Sequence, residues 1–220
     1  MPIYTYTQLR QRINGGIKGK IGVLIDERGT INEAVRQVIS DFDLKSTIRE
    51  IDLDPNLDSD VETYNEMTDL KGYGIIDVVP VDLTARQKPE YQLTLHEDFN
   101  RSFSTSGIIT VEDRNFTRTL KIKTQGITDE ENKIVYYTKY GWQNSGTYKE
   151  NSTVGEDLLN ADTSEYNLFV QKGIEIAGEE VDEIQAADRA RQKYQEQLQK
   201  YKMDNPSQAK SIITTYARFI

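Results

Sequence analysis

Apolar residues recur at helical spacing near the two ends of the chain and alternate at strand spacing between them. Ile31, Ala34, Val35, Val38, Ile39 and Phe42 step by three and four, which puts them on one stripe of an α-helix. Thr30-Ile31-Asn32-Glu33 stands at its head and predicts a capping box, in which Thr30 and Glu33 satisfy each other's free backbone donors. A shorter helix is predicted upstream, with Thr5 or Thr7 as N-cap, Leu9 and Ile13 on its apolar face and Gly15-Gly16 at its end. The longest periodic segment opens at a second predicted capping box, Asp162-Thr163-Ser164-Glu165. It runs through Tyr166, Phe169, Val170, Ile174, Ala177, Val181, Ile184, Ala187, Tyr194, Leu198 and Tyr201. This stripe predicts one long helix, or two that pack on the others. Gly173 and Gly178 each cost about 1 kcal/mol against Ala inside a helix, so they imply a close backbone approach or a bend. Asp204-Asn205-Pro206 ends the segment, and a last helix is expected with Asn205 as N-cap and Pro206 in its first turn.

The middle of the chain reads differently. Leu44, Thr47, Ile48, Ile51 and Leu53 lie in a run rich in β-branched residues that closes at Asp54-Pro55-Asn56, which predicts a strand. An acidic loop is expected from Asp54 to about Gly74, then a strand over 75–81 whose Pro80 marks a sheet edge. Alternation continues through Tyr91, Leu93, Leu95, Phe99 and Phe103, and Asp113-Arg114-Asn115 suits the turn of a hairpin between 107–112 and 116–123. A strand over 134–140 precedes Gly141-Trp142, and the Asn-, Ser-, Gly- and Thr-rich stretch 143–161 reads as a loop. The expected fold class is α+β: a small helical bundle of N-terminal helices and long C-terminal helices, with an inserted antiparallel β extension. Residues 1–53 and 162–220 would make the bundle and a C-terminal docking segment, and 54–161 the inserted β-rich region and loops.

Composition narrows the function classes. With 220 residues, 36% of them hydrophobic, and a mean hydropathy of -0.66, the core is modest and much of the chain lies on solvated faces, loops or a partner. Lys and Arg number 27 against 36 Asp and Glu, a net charge of -9. By segment the balance is +2 over 1–50, -7 over 51–150 and -4 over 151–220. No segment is a basic arm, which disfavours binding by wholesale neutralisation of nucleic-acid phosphates or of an anionic membrane. There is no cysteine, which excludes disulfides, thiol nucleophiles and thiolate zinc sites. The opening Met-Pro-Ile-Tyr-Thr-Tyr-Thr has no basic region followed by an apolar run, and no window is apolar enough to span a bilayer. A soluble protein without an ordinary secretion signal is expected.

Candidate chemistry is sparse. Asn14-Gly15-Gly16-Ile17-Lys18-Gly19-Lys20-Ile21 superficially resembles a phosphate loop, but Asn14 replaces the first glycine and Ile21 the hydroxyl that would hold magnesium; a turn between helices is expected. Asp52, Asp54, Asn56, Asp58 and Asp60 alternate like oxygen ligands for calcium, yet Leu57 and Thr63 stand where an EF-hand loop needs Gly and Glu, so a solvated acidic loop is expected. His96, the one histidine, has no neighbouring His or Cys and no nucleophile elbow to serve. No carboxylate pair stands in an apolar frame that would raise one pKa. Tyr136, Tyr137, Tyr140 and Trp142 could stack on bases or sugars, or fill a core. No enzyme, cofactor or metal is expected.

The order of these features resembles a known family. The second helix reads Thr-Ile-Asn-Glu-Ala-Val-Arg-Gln-Val-Ile-Ser-Asp-Phe-Asp-Leu-Lys-Ser-Thr over 30–47, followed by the strand Ile-Arg-Glu-Ile-Asp-Leu. A β segment, Tyr73-Gly-Ile-Ile-Asp-Val-Val-Pro-Val-Asp-Leu83, leads to Tyr140-Gly-Trp, a Gly-Thr loop and the helix Asp162-Thr-Ser-Glu-Tyr-Asn-Leu-Phe. In this the chain resembles the head-to-tail connector adaptor, or head-completion, proteins of tailed bacteriophages, by patterning over most of its length. The resemblance implies a structural virion protein in the neck between capsid and tail, assembled in the host cytoplasm as a twelve-fold ring beneath the portal. Its partners would be the portal protein, copies of itself, tail or nozzle proteins, and DNA passing without sequence-specific contact; no membrane is implied. Carried over by position, Ile212, Ile213, Tyr216, Phe219 and Ile220 would dock on the portal, and Val35, Val38, Ile39, Phe169, Val181 and Ile184 would pack bundle and subunits. An acidic channel wall would let DNA slide. The alternatives are a tail-terminator or nozzle-type ring protein, a carbohydrate- or surface-binding β module using the aromatics of 136–148, and an acidic hydrolase.

Overall fold

A computed structural model describes residues 4–52, 62–66, 68–80, 92–93, 108–114, 117–123 and 132–204. The fold is α+β. Four α-helices stand among the described residues: α1 (Tyr6–Gly16), α2 (Glu27–Asp41), α3 (Tyr166–Glu180) and α4 (Ile184–Asp204). The chain divides into two units, Met1–Thr47 with Lys139–Ile220, and Ile48–Thr138. The boundaries thus fall at 47 and 138, where the sequence reading placed them at 53 and 161.

The first unit is built from both ends of the chain. α1 starts at a capping box: the Thr5 hydroxyl oxygen accepts the Gln8 amide (3.2 Å) and Gln8 Oε1 accepts the Thr5 amide (2.9 Å). α2 starts three residues before the predicted Thr30 box, because the Asp26 carboxylate accepts the Gly29 amide at 2.9 Å and an anion suits the positive helix N-terminus. Thr30 therefore lies inside the helix, its hydroxyl donating to the Asp26 carbonyl (2.9 Å) with the Glu180 carboxylate at 3.0 Å. Ahead of α3 the predicted box forms: Asp162 Oδ1 accepts the Glu165 amide (2.8 Å) and Glu165 Oε2 accepts the Asp162 amide (3.3 Å).

The long C-terminal stripe is two helices, interrupted over 181–183, where Asp182 takes a positive φ of 57° and the Glu183 amide donates to the Gly178 carbonyl at 2.7 Å. Both glycines in the stripe sit at close approaches. A Cβ on Gly178 would stand 3.2 Å from the Ala187 Cβ and 3.3 Å from its backbone nitrogen. At the α1–α3 crossing the fit is reciprocal, since a Cβ on Gly173 would overlap Ile13 and one on Gly16 would overlap Ile174.

The stretch 143–161, read as loop, folds with this unit as a small antiparallel sheet in the order β10-β8-β9. Its strands are β8 (Trp142–Asn144), β9 (Thr147–Lys149) and β10 (Leu158–Leu159). Gly146, at φ 83°, makes the tight β8–β9 turn that Asn144-Ser145-Gly146 encodes. Such short strands leave no alternation to read. The core of the unit gathers Leu9, Ile13 and Ile17, the α2 stripe, Trp142, Leu159, Phe169, Tyr194 and Leu198. Tyr4 stacks on Tyr166 with ring centroids 3.7 Å apart.

The second unit holds two sheets. In one, β7 (Asn132–Thr138) lies between β1 (Ile48–Asp52) and β3 (Leu70–Pro80), antiparallel to both. In the other the order is β2-β6-β5-β4, of β2 (Glu62–Glu66), β6 (Thr117–Lys123), β5 (Ile108–Arg114) and β4 (Gln92–Leu93). The β5–β6 hairpin matches the predicted one, but Asp113 and Arg114 pair with Arg118 and Thr117, so the connection is 115–116. β4 is parallel to β5, a departure from an all-antiparallel insert. β2 and the start of β3 lie where an acidic loop was expected; Glu-Thr-Tyr-Asn-Glu has no strand pattern of its own and is held in register by β6. The expected strand residues at 95–103, positions 54–61 of the acidic loop and the last helix from Asn205 lie outside the described residues.

Candidate functional site

Two polar hubs hold the helical unit together. The first centres on Asp157, which is wholly buried. Its Oδ1 accepts from Asn144 Nδ2 (2.8 Å) and Lys149 Nζ (3.0 Å), and its Oδ2 from the amides of Thr153 (2.7 Å) and Val154 (3.0 Å). Burial alone would push this carboxyl up; the bonds from Asn144, Val154, Thr153 and Lys149 outweigh it and hold the group well below the usual carboxylate range. The same segment is fastened to α2 by a reciprocal pair, the Ser152 amide to Asn32 Oδ1 (2.9 Å) and Asn32 Nδ2 to the Ser152 carbonyl (3.3 Å). It is fastened to α1 by the Tyr6 amide donating to the Asp157 carbonyl (2.8 Å). The second hub is the buried Glu165, whose carboxylate also accepts the Ser46 amide (3.4 Å) and the Tyr201 hydroxyl (3.3 Å). Burial first and the Glu165 charge second raise the Tyr201 pKa, keeping the phenol protonated as a donor.

Both carboxylates are engaged by groups of the chain itself. A general base needs a free lone pair facing substrate, so the geometry of Asp157 and Glu165 is that of fasteners.

Lys18 and Lys20 both bind the Glu183 carboxylate, Lys18 at 2.6 Å, and their hydrogen bonds lower its pKa. This pins the connector between α1 and α2 against the α3–α4 break. Val23 and Ile25 on that connector and Ile184 at the start of α4 are exposed, Ile184 by 51%. The segment first weighed as a phosphate loop is thus a structural turn, closed by Asn14, whose carbonyl accepts the Gly19 amide (2.8 Å) and whose Oδ1 accepts the Ile21 amide (3.1 Å).

Of the six residues assigned to bundle and subunit packing, Val35, Val38, Ile39, Phe169 and Val181 are buried in the chain's own core and only Ile184 faces outward. Their apolar surface is spent within one chain, leaving a neighbour Ile184 alone. Of the four aromatics weighed as a stacking platform, Trp142 is wholly buried, Tyr136 and Tyr137 nearly so, and Tyr140 is half-buried. Tyr136 donates to Asp69 at 3.0 Å. Ile212, Ile213, Tyr216, Phe219, Ile220 and His96 lie outside the described residues, as do Asp54, Asn56, Asp58 and Asp60; Asp52 ends β1. Among the described residues no group of three His, Cys, Asp or Glu is placed to hold a metal ion, and no helix is long and apolar enough to cross a membrane. The Asp157 hub was hidden in the sequence by its resemblance to ordinary turn chemistry; the Asn and Thr residues around one Asp were its only signal.

No family model matches the chain, and no curated protein matches it.

Proposed function

We propose that the chain is a structural virion protein, an adaptor whose ring joins the portal to the tail and continues the DNA channel. The observation that supports this most is the division of labour in the chain. The two ends make one helical unit, and 48–138 is inserted into it as a separate β unit. A ring component that must contact both a portal and a tail has use for two such bodies. The buried carboxylates support a structural role in the same way, because their oxygens are taken up in holding 143–161 and the start of α3 in place. A carbohydrate-binding module on the aromatics of 136–148 would find Trp142, Tyr136 and Tyr137 buried and only the half-buried Tyr140 and Tyr148 left to meet a sugar.

The portal contact is assigned to 206–220, with Ile212, Ile213, Tyr216, Phe219 and Ile220 as apolar anchors in a groove. Deleting 206–220 is expected to leave the Trp142 fluorescence and thermal transition of the helical unit in place while abolishing capture by purified portal rings. Capture at the level of the intact chain would remove this assignment.

A further inference from the structure

The charge of the chain is unevenly held. Residues 48–138 carry ten basic and eighteen acidic groups, net -8, whereas 1–47 and 139–220 together carry seventeen and eighteen, net -1. Within the helical unit α4 goes further. Ala187, Ala190, Tyr194 and Leu198 fix its buried face. On the opposite face, at spacings of four and seven, stand Arg189, Lys193 and Lys200, all exposed, with one acid, Glu196. The ion pairs of α4 are made by another residue, Arg191, which binds Glu175, Glu179 and Asp188. Lys172 also binds Glu175 at 3.2 Å, so Arg191 and Lys172 together offset two of these three carboxylates, and the outer face counted by itself carries three cations and one acid, +2. Glutamines at 185, 192 and 199 flank it with uncharged amide donors.

We propose that this face of α4 is the surface that meets the phosphate backbone of duplex DNA; the inference rests on the adaptor reading and names the part of the ring that faces its passing cargo. From Arg189 to Lys200 the helix rises about 16 Å, the axial length of about five phosphates on one strand. Lys, Arg and Gln donors reach phosphate oxygens without reading bases, which suits a channel that must pass any sequence. Three cations bind weakly enough to release, and this face stands in place of the acidic channel wall that the family resemblance implies.

The test is binding of the intact chain to a fluorescently labelled mixed-sequence duplex, followed by anisotropy from low to moderate salt, beside capture by portal rings. Binding is expected at low salt, with a slope of log K against log salt of about -2.7 for three phosphate contacts and no preference between unrelated duplexes. Replacing Arg189→Gln, Lys193→Gln and Lys200→Gln together should flatten the slope to near zero while leaving ring capture and the Trp142 signal unchanged. Glu196→Gln, which removes the one acid, should tighten binding. An unchanged slope in the triple variant, or no binding of the native chain at low salt, overturns the assignment. If the native chain is captured by portal while the triple variant keeps its slope, the DNA face alone fails. If capture fails while the slope flattens as expected, the adaptor reading fails and the phosphate-binding face stands.

Discussion

The two units of the chain differ in how their elements are held and in the charge they carry. The helical unit brings together residues more than a hundred positions apart and closes a core around Trp142 and Phe169, with buried carboxylates saturated by donors. The inserted unit is a set of strands whose register is set by neighbours in a sheet, and it carries nearly all of the net negative charge, -8 of -9. The buried carboxylate hubs lie in the helical unit, and most of the net negative charge lies in the other. An average over the whole chain describes neither.

Trp142 is the single tryptophan and lies in the helical unit, so its fluorescence reads that unit alone while far-ultraviolet circular dichroism reads both. Phe169→Ala is expected to cut the stability of the helical unit most, by about 3–5 kcal/mol, moving the tryptophan-detected urea midpoint. A shift confined to circular dichroism would break the division drawn between the units.

Asp157→Asn should follow, at about 2–3 kcal/mol, because a buried charge-assisted set of bonds is replaced by an amide whose NH2 meets donors. The pH dependence has a definite sign. The folded carboxyl titrates below its unfolded value of about 3.9, so its contribution is complete above that value and lost as pH falls through the lower folded one. Native protein should lose tryptophan-detected stability with acid more steeply than Asp157→Asn, and parallel curves would contradict the hub.

Gly173→Val should cost about 2 kcal/mol by overpacking the α1–α3 crossing against Ile13, again measured by the urea midpoint. Ile184→Ser is expected to leave stability within about 0.5 kcal/mol of native, since the side chain is half exposed. A large loss there would mean that the Ile184 side chain is covered.

Much of this architecture is legible in the residues. The α2 stripe, the box at Asp162 and Glu165, and the glycines at 173 and 178 each carry a local rule that the packing obeys. Where the reading departs, a stronger competitor explains it. The Asp26 carboxylate caps α2 ahead of Thr30, β2 is recruited by β6, and 143–161 is ordered by one buried aspartate that looks like a turn residue. The assignment of core residues to subunit contacts overlooked that a chain with a modest core uses its best apolar stripe on itself. The basic face of α4 was masked by the net charge of the chain. It becomes visible only when the residues opposite the buried stripe are counted apart from Arg191 and its acids.

The adaptor proposal is tested most directly by negative-stain imaging of purified portal rings with and without the chain. The expected result is an added ring on one face of the portal in the mixture and none with portal alone. Portal particles of unchanged outline, with the chain left free in solution, would contradict it.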